Sequence, residues 1–266
     1  QSQSQSLKIL HKNIAPYQLF NANINMSDIA CPTCNQKQRH MEENIYHILN
    51  RGVEKRKVFL DAENYIRFVH GFKDFNTTES KGDISYYRRR LSEMSDIACP
   101  TSEEKIVDIL CWTLMPNHPH ILVMEKEERN AGRFSRKIFG GYTKYFNEQN
   151  DRSGVLFQGR SKIILVQRDA HFLYLPFYIH LNSLDLFQSK WKEDGIKNVK
   201  GAMEFLEEYR WSNYRDLIGK GGGEFSDVTN KELFFEMFET NEKRYKRDLE
   251  EWIRGDGYKE DFNAFE

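Results

Sequence analysis

The sequence predicts an α+β fold: an antiparallel sheet with helices packed on one face, followed by a mostly helical carboxy-terminal extension. Three observations carry this prediction. Short runs rich in apolar and aromatic residues, at 45–49, 106–114, 121–124 and 162–166, have the length and composition of strands. Two stretches between them repeat apolar residues at helical spacing, at 61–72 and 132–147. Strands and helices then follow one another in the order strand, helix, strand, strand, helix, strand, helix, which places two helices between strands of one sheet.

Each element has its own signal. Residues 1–43 begin with Gln-Ser repeats and lack apolar periodicity, so they read as an extension outside the fold. Ile-Tyr-His-Ile-Leu at 45–49 is strand-like and runs into the turn Asn50-Arg51-Gly52. Asp61 is a helix cap, and Tyr65, Phe68, Val69 and Phe72 recur at i, i+3, i+4 and i+7. Residues from about 76 to 105 are polar and form an insertion containing a basic-aromatic patch with Tyr86 and Tyr87. A hairpin follows, with strands at 106–114 and 121–124 joined through Pro116-Asn117. Residues 132–147 put Phe134, Ile138, Phe139, Tyr142, Tyr145 and Phe146 on one stripe of a helix with basic flanks. A loop at 151–154 leads to the strand at 162–166, and Asp169 is the expected cap of a last helix reaching about Asn182. This order is the split βαβ plan of ferredoxin-like and RRM-like folds. The expected domains are an extension at 1–43, a catalytic domain at 44–190 and a helical extension at 191–266.

The formal charge of −1 hides two opposed regions. Between Arg129 and Arg168 nine basic residues face two acids, whereas between Gly221 and Glu266 seven basic residues face thirteen acids. A basic middle fits a nucleic-acid groove better than an evenly solvated surface. No apolar run approaches the ~20 residues that span a bilayer, and the amino terminus lacks a signal-peptide core, so a cytoplasmic protein is expected. Cys31-Pro-Thr-Cys34 is half of a zinc site without a second half, and stray thiols are the simpler reading. The octamer MSDIACPT occurs at 26–33 and again at 94–101, which is too short to be a structural repeat.

The chemistry concentrates where the hairpin turns. His118-Pro-His120 opens the second hairpin strand, and alternate strand residues share a face, so the two imidazoles point the same way. Tyr178 and Asn182 are four apart on the last helix and also share a face. An amide oxygen beside two imidazoles is a mixed donor set that suits Mg2+ or Mn2+, and a tyrosine beside that ion would be a nucleophile for a phosphodiester. Tyr145 and Gln149 have the same spacing on the basic helix, so spacing leaves the nucleophile open between Tyr178 and Tyr145.

Five motifs in one order narrow the choice. Asn50-Arg51-Gly52, Met115-Pro-Asn-His-Pro-His-Ile-Leu-Val123, Phe157-Gln-Gly-Arg160, Tyr178-Ile-His-Leu-Asn182 and Trp211-Ser-Asn-Tyr-Arg215 together resemble the REP-associated tyrosine transposases, which are single-tyrosine HUH transposases. The resemblance covers roughly residues 45–216. It implies a transposase-like strand transferase that cleaves and rejoins single-stranded DNA at hairpin sites through a 5′-phosphotyrosine. It also implies Tyr178 as the nucleophile and His118, His120 and Asn182 as ligands of Mg2+ or Mn2+. Arg133, Arg136, Lys137, Lys144, Arg160 and Lys162 are the candidates for contacts to the DNA backbone. The chain would act as a monomer or homodimer with DNA as its partner. Other readings of the same sheet are a non-catalytic nucleic-acid-binding module and an HUH replication initiator or relaxase. Pro119 between the histidines, Pro176 two residues before Tyr178 and Ser183 after the last motif depart from the family pattern. Pro119 is expected at a strand start or edge, and Pro176 either kinks the helix or begins it.

Overall fold

In a computed structural model of the chain, the described residues are 44–78, 105–167, 172–222 and 225–256. The stretch 1–43, most of the 76–105 insertion with Tyr86 and Tyr87, both octamers, Cys31, Cys34, Cys99 and Asp169 lie outside them. Four strands are present among the described residues: β1 (Ile45–Leu49), β2 (Val107–Met115), β3 (His118–Glu125) and β4 (Lys162–Leu165). They form one sheet in the order β2-β3-β1-β4 with every neighbouring pair antiparallel, as the split βαβ plan requires. Two helices interrupt the strands, α1 (Ala62–Asp74) and α2 (Asn130–Gln149). After β4 come α3 (Leu175–Leu181), α4 (Trp191–Asp194), α5 (Val199–Glu208), α6 (Tyr214–Leu217), α7 (Lys231–Met237) and α8 (Glu242–Glu251).

Local signals set the element ends. The carboxylate of Asp61 accepts from the Asn64 amide at 2.9 Å, which satisfies one orphan donor of α1. Asn76 pins the two ends of the insertion together: its Oδ1 accepts from Ile106 N and Val107 N at 3.0 and 2.9 Å, and its Nδ2 donates to Val107 O at 2.9 Å. The last helix starts later than Asp169, at Leu175, with Pro176 in its first turn, where a missing N–H costs nothing. A 3-10 turn at Phe172–Tyr174 leads into it. Helix α2 runs through Gln149, so Tyr145 and Gln149 do share one helix.

The helices cover both faces of the sheet, which corrects the one-face expectation. On one face Ile48, Ile109, Trp112, Ile121 and Val123 pack with α1 and α2. On the other Ile45, Leu110, Cys111, Leu122 and Met124 pack with α3 and the helices after it. Every residue of β2 and β3 is buried, so these strands need apolar partners above and below. A bulge lets β2 serve both cores: Ile109 pairs with Val123 and Cys111 with Leu122, leaving Leu110 unopposed. The face that carries Val107 and Ile109 is therefore continued by Trp112 and Leu114.

The outer edge of β2 is closed by the Trp211-Ser-Asn motif. Leu114 N donates to Trp211 O at 2.8 Å, and Asn213 N donates to Trp112 O at 3.2 Å. The Asn213 side chain accepts from Trp112 N at 2.8 Å and donates to Leu110 O at 3.3 Å, which satisfies the carbonyl freed by the bulge. No helix among the described residues is long and apolar enough to cross a membrane.

Candidate active site

Three motif turns are laced together at one end of the sheet. Gly52 N donates to Asn117 O at 2.8 Å, Val53 N to Leu156 O at 3.0 Å, and Gln158 N to Arg51 O at 2.7 Å. Gly52 has no space for a side chain, since a Cβ there would lie 2.4 Å from Arg56 O. This clamp fixes the Met115-Pro-Asn-His118 hairpin from which the histidines emerge.

Pro119 fits without loss. Leu114, its partner across the hairpin, spends its N–H on Trp211, so the Leu114–Pro119 pair is one that exchanges no ladder bonds. The β1 ladder ends at the Leu49–His120 pair, one residue short of Pro119. The absent donor thus falls where no strand would use it.

His118 and His120 project to the α3 face with Leu122 and Met124, and their ring centroids are 4.8 Å apart. Tyr178 of α3 meets them from above; its ring is perpendicular to that of His120 at 5.7 Å. Asn182 follows one turn later and donates from Nδ2 to Tyr178 O at 2.7 Å. Although a 3-10 turn begins at Asn182, its backbone remains right-handed helical, so the two side chains stay on one face. The fold therefore gathers His118, His120, Tyr178 and Asn182 on the same side of the sheet, all of them buried. Tyr145 belongs to α2 on the opposite face, where its hydroxyl lies 3.5 Å from Glu63 Oε1.

A third histidine completes the cluster, and sequence reasoning missed it. His47 of β1 stacks on His120 at 5.1 Å and 14°, with its Nε2 2.9 Å from His120 Nδ1. The signal was present in Ile-Tyr-His-Ile-Leu, but only the register, in which Leu49 and not His47 faces His120, makes the diagonal contact visible. Burial holds His47 and His118 at about 3, and at His118 Arg51, Lys192 and His47 add to the effect. Burial, followed by His118, His47, Lys192 and Arg51, holds His120 well below the ordinary imidazole value. All three rings are neutral near pH 7, so His118 and His120 each keep an unprotonated nitrogen that could act as a donor to a cation.

Atom assignments follow from the pairing. With Nδ1 engaged by His47, Nε2 of His120 is buried with no hydrogen-bond partner among the described residues. An orphaned N–H or lone pair there is costly, but a lone pair could be satisfied by a cation. The tautomer that leaves a lone pair has His120 Nδ1–H donating to His47 Nε2. His118 Nδ1 sits 2.6 Å from Asn117 Oδ1, which likewise fixes that ring. Among the described residues no three His, Cys, Asp or Glu side chains are grouped as a metal site, so a metal held here would need a further donor such as the amide of Asn182. Its Oδ1 accepts from Lys192 Nζ at 3.2 Å, and the same ammonium lies 5.4 Å from the Tyr178 ring centroid.

The six basic candidates do not converge on this cluster. Arg133, Arg136, Lys137 and Lys144 ride on α2, which covers the other face. Arg133 and Lys137 each donate at 2.6 Å to backbone oxygens, of Thr78 and Thr77, and with Arg136 they line an open recess that also contains Glu127 and Glu128. Lys162 is different: it pairs with Leu49, which pairs with His120, so the three occupy one row on the histidine face. Arg160, two residues earlier, is exposed.

The chain is similar to a solved structure of the REP-associated tyrosine transposase bound to a REP hairpin. The two share 16% identity at a TM-score of 0.39, over 70% of this chain and 88% of that one. No protein-family model matches the chain. No curated protein matches it.

Proposed function

We propose that the protein is a single-stranded DNA strand transferase of the transposase type, with Tyr178 as its nucleophile. The observation that carries this reading is the meeting of Tyr178 with His120 at 5.7 Å on the face where Asn182 and His118 also lie. Together with the five ordered sequence motifs it favours Tyr178 over Tyr145. The phenolic oxygen of Tyr178 attacks the phosphorus of a phosphodiester, and the bond from phosphorus to the 3′ oxygen breaks. The phenol proton leaves as the new bond forms, and the departing 3′ oxygen gains a proton to become a hydroxyl. The 5′ phosphate remains on Tyr178, and the reverse attack by a 3′ hydroxyl rejoins the strand.

His118, His120 through Nε2, and Asn182 through Oδ1 would hold the Mg2+ or Mn2+. That donor set fits such an ion in type, leaving the remaining positions to water and phosphate oxygens. When bound there, the ion neutralises phosphate charge and orients the diester for in-line attack. The chain's own contribution is to fix the imidazoles by the His47 and Asn117 contacts, to bury the nucleophile, and to present Lys192 and Arg51 as cations facing the site. Lys162, on the same row as His120, is the basic candidate best placed to bind the strand as it crosses this face.

The test is to incubate the protein with labelled hairpin DNA and Mg2+ or Mn2+ and look for an adduct that survives denaturation. Wild type and Tyr145→Phe form it, and Tyr178→Phe does not. An adduct that survives Tyr178→Phe, or its absence from wild type across a panel of imperfect palindromes, contradicts the reading.

A further inference from the structure

The charges around the cluster are unusual for a cation site. His118, His120 and Asn182 are all neutral donors, and the charged groups that act on the two histidines are Arg51 and Lys192, both positive. No carboxylate acts on either ring among the described residues. Lys192 is also held in place: it follows Trp191, which is buried and donates from Nε1 to Asp185 Oδ1 at 2.8 Å, so the short helix α4 aims the ammonium at Asn182. The ammonium sits 3.2 Å from Asn182 Oδ1, the one oxygen in the proposed donor set. A monovalent and a divalent cation on the same oxygen repel strongly at so short a range. A phosphodiester delivers a negative charge that gives the displaced ammonium a new partner.

Resting on the strand-transferase reading, we propose that Lys192 is a positioning residue that gives up its 3.2 Å contact with Asn182 Oδ1 and moves to the substrate phosphate when ion and DNA bind. Ion and DNA then favour the same arrangement, and each tightens the binding of the other by the same factor. The site therefore takes up its ion together with the strand instead of holding it beforehand. The lysine also tethers Asn182 until then, which keeps the amide beside Tyr178.

The experiment uses the full chain carrying Tyr178→Phe, so that no cleavage occurs. Mn2+ binding is titrated by the electron-spin signal of the free ion, with and without a saturating hairpin oligonucleotide. DNA is expected to tighten Mn2+ binding by roughly tenfold, inside the usual range of coupling between sites. Adding Lys192→Met tightens Mn2+ binding in the absence of DNA by severalfold and reduces the DNA effect to about twofold or less, whereas Lys192→Arg retains the coupling. Thermal melts verify that these variants remain folded. If Lys192→Met weakens Mn2+ binding without DNA, or leaves the coupling intact, the proposal is overturned while the strand-transferase reading stands. If Mn2+ binding survives His118→Ala, the ion lies elsewhere, and the metal site fails together with the proposal.

Discussion

Replacing His47 with leucine, which has a similar volume, removes one buried contact and leaves the rest of the cluster in place. The bond lost is the 2.9 Å contact between His47 Nε2 and His120 Nδ1, both residues being fully inside the protein. His120 Nδ1 is then buried without a partner, which costs about 1–3 kcal/mol of stability. His47→Ala also opens a cavity where the ring had been and is expected to cost roughly 3–5 kcal/mol in total. The effect on the ion is separate from the effect on the fold. With its tautomer and orientation no longer fixed, His120 is a poorer ligand, and loss of such an outer partner weakens metal binding by about 10–100-fold. Urea unfolding at pH 7.5 measures the first quantity, and Mn2+ titration of the folded variant measures the second. His47→Gln, whose amide reaches toward His120, restores part of both. A leucine variant within ~0.5 kcal/mol of wild type that binds Mn2+ equally well would refute the role given to the His47–His120 bond.

Other consequences are simpler to check. Asn213→Ala removes the acceptor of Trp112 N and the donor to Leu110 O, leaving two backbone groups of β2 unpaired, and is expected to cost roughly 3–5 kcal/mol in urea unfolding. At Glu207 burial raises the carboxyl pKa, but the hydrogen bonds and charges of Lys220 and Lys246 outweigh it, so the net shift is downward. A lowered carboxyl stabilises the fold fully above its ordinary value near ~4.5, and the contribution disappears as pH falls through the lowered value. Melting temperatures of wild type and Glu207→Gln should therefore differ at pH 7 and converge in acid. Lys162→Ala should reduce the salt dependence of hairpin binding by about one unit of log-log slope, as read by fluorescence anisotropy from 50 to 300 mM salt. Tyr145→Phe, altering only the opposite face, leaves adduct formation unchanged.

Much of this arrangement is legible in the residues. Alternation along His118-Pro-His120 placed both rings on one face, the four-residue spacing placed Tyr178 above Asn182, and Asp61 marked the start of α1 correctly. The two-sided burial was also encoded, because Val-Asp-Ile-Leu-Cys-Trp-Thr-Leu-Met is a nearly continuous apolar run and not an alternating one. Period-two counting obscured it, since the bulge at Leu110 reverses the faces halfway along the strand. His47 and Lys192 escaped for a different reason. Each reaches the cluster across a tertiary contact, 73 residues from His120 in one case and 10 from Asn182 across an irregular turn in the other, and no local pattern specifies either. The helical spacing of Phe134, Ile138, Phe139, Tyr142 and Phe146 predicts the buried stripe of α2, but a helix pattern does not say which face of the sheet it will cover.

The identity of the residue that becomes joined to DNA tests the central claim most directly. After reaction with a labelled hairpin and Mn2+, the denatured adduct is digested and the nucleotide-bearing peptide sequenced by mass spectrometry. The phosphodiester is expected on Tyr178, in the peptide containing Phe177, Ile179 and His180. A nucleotide on Tyr145, or on any residue of the α2 face, would contradict the assignment of the histidine cluster as the active site.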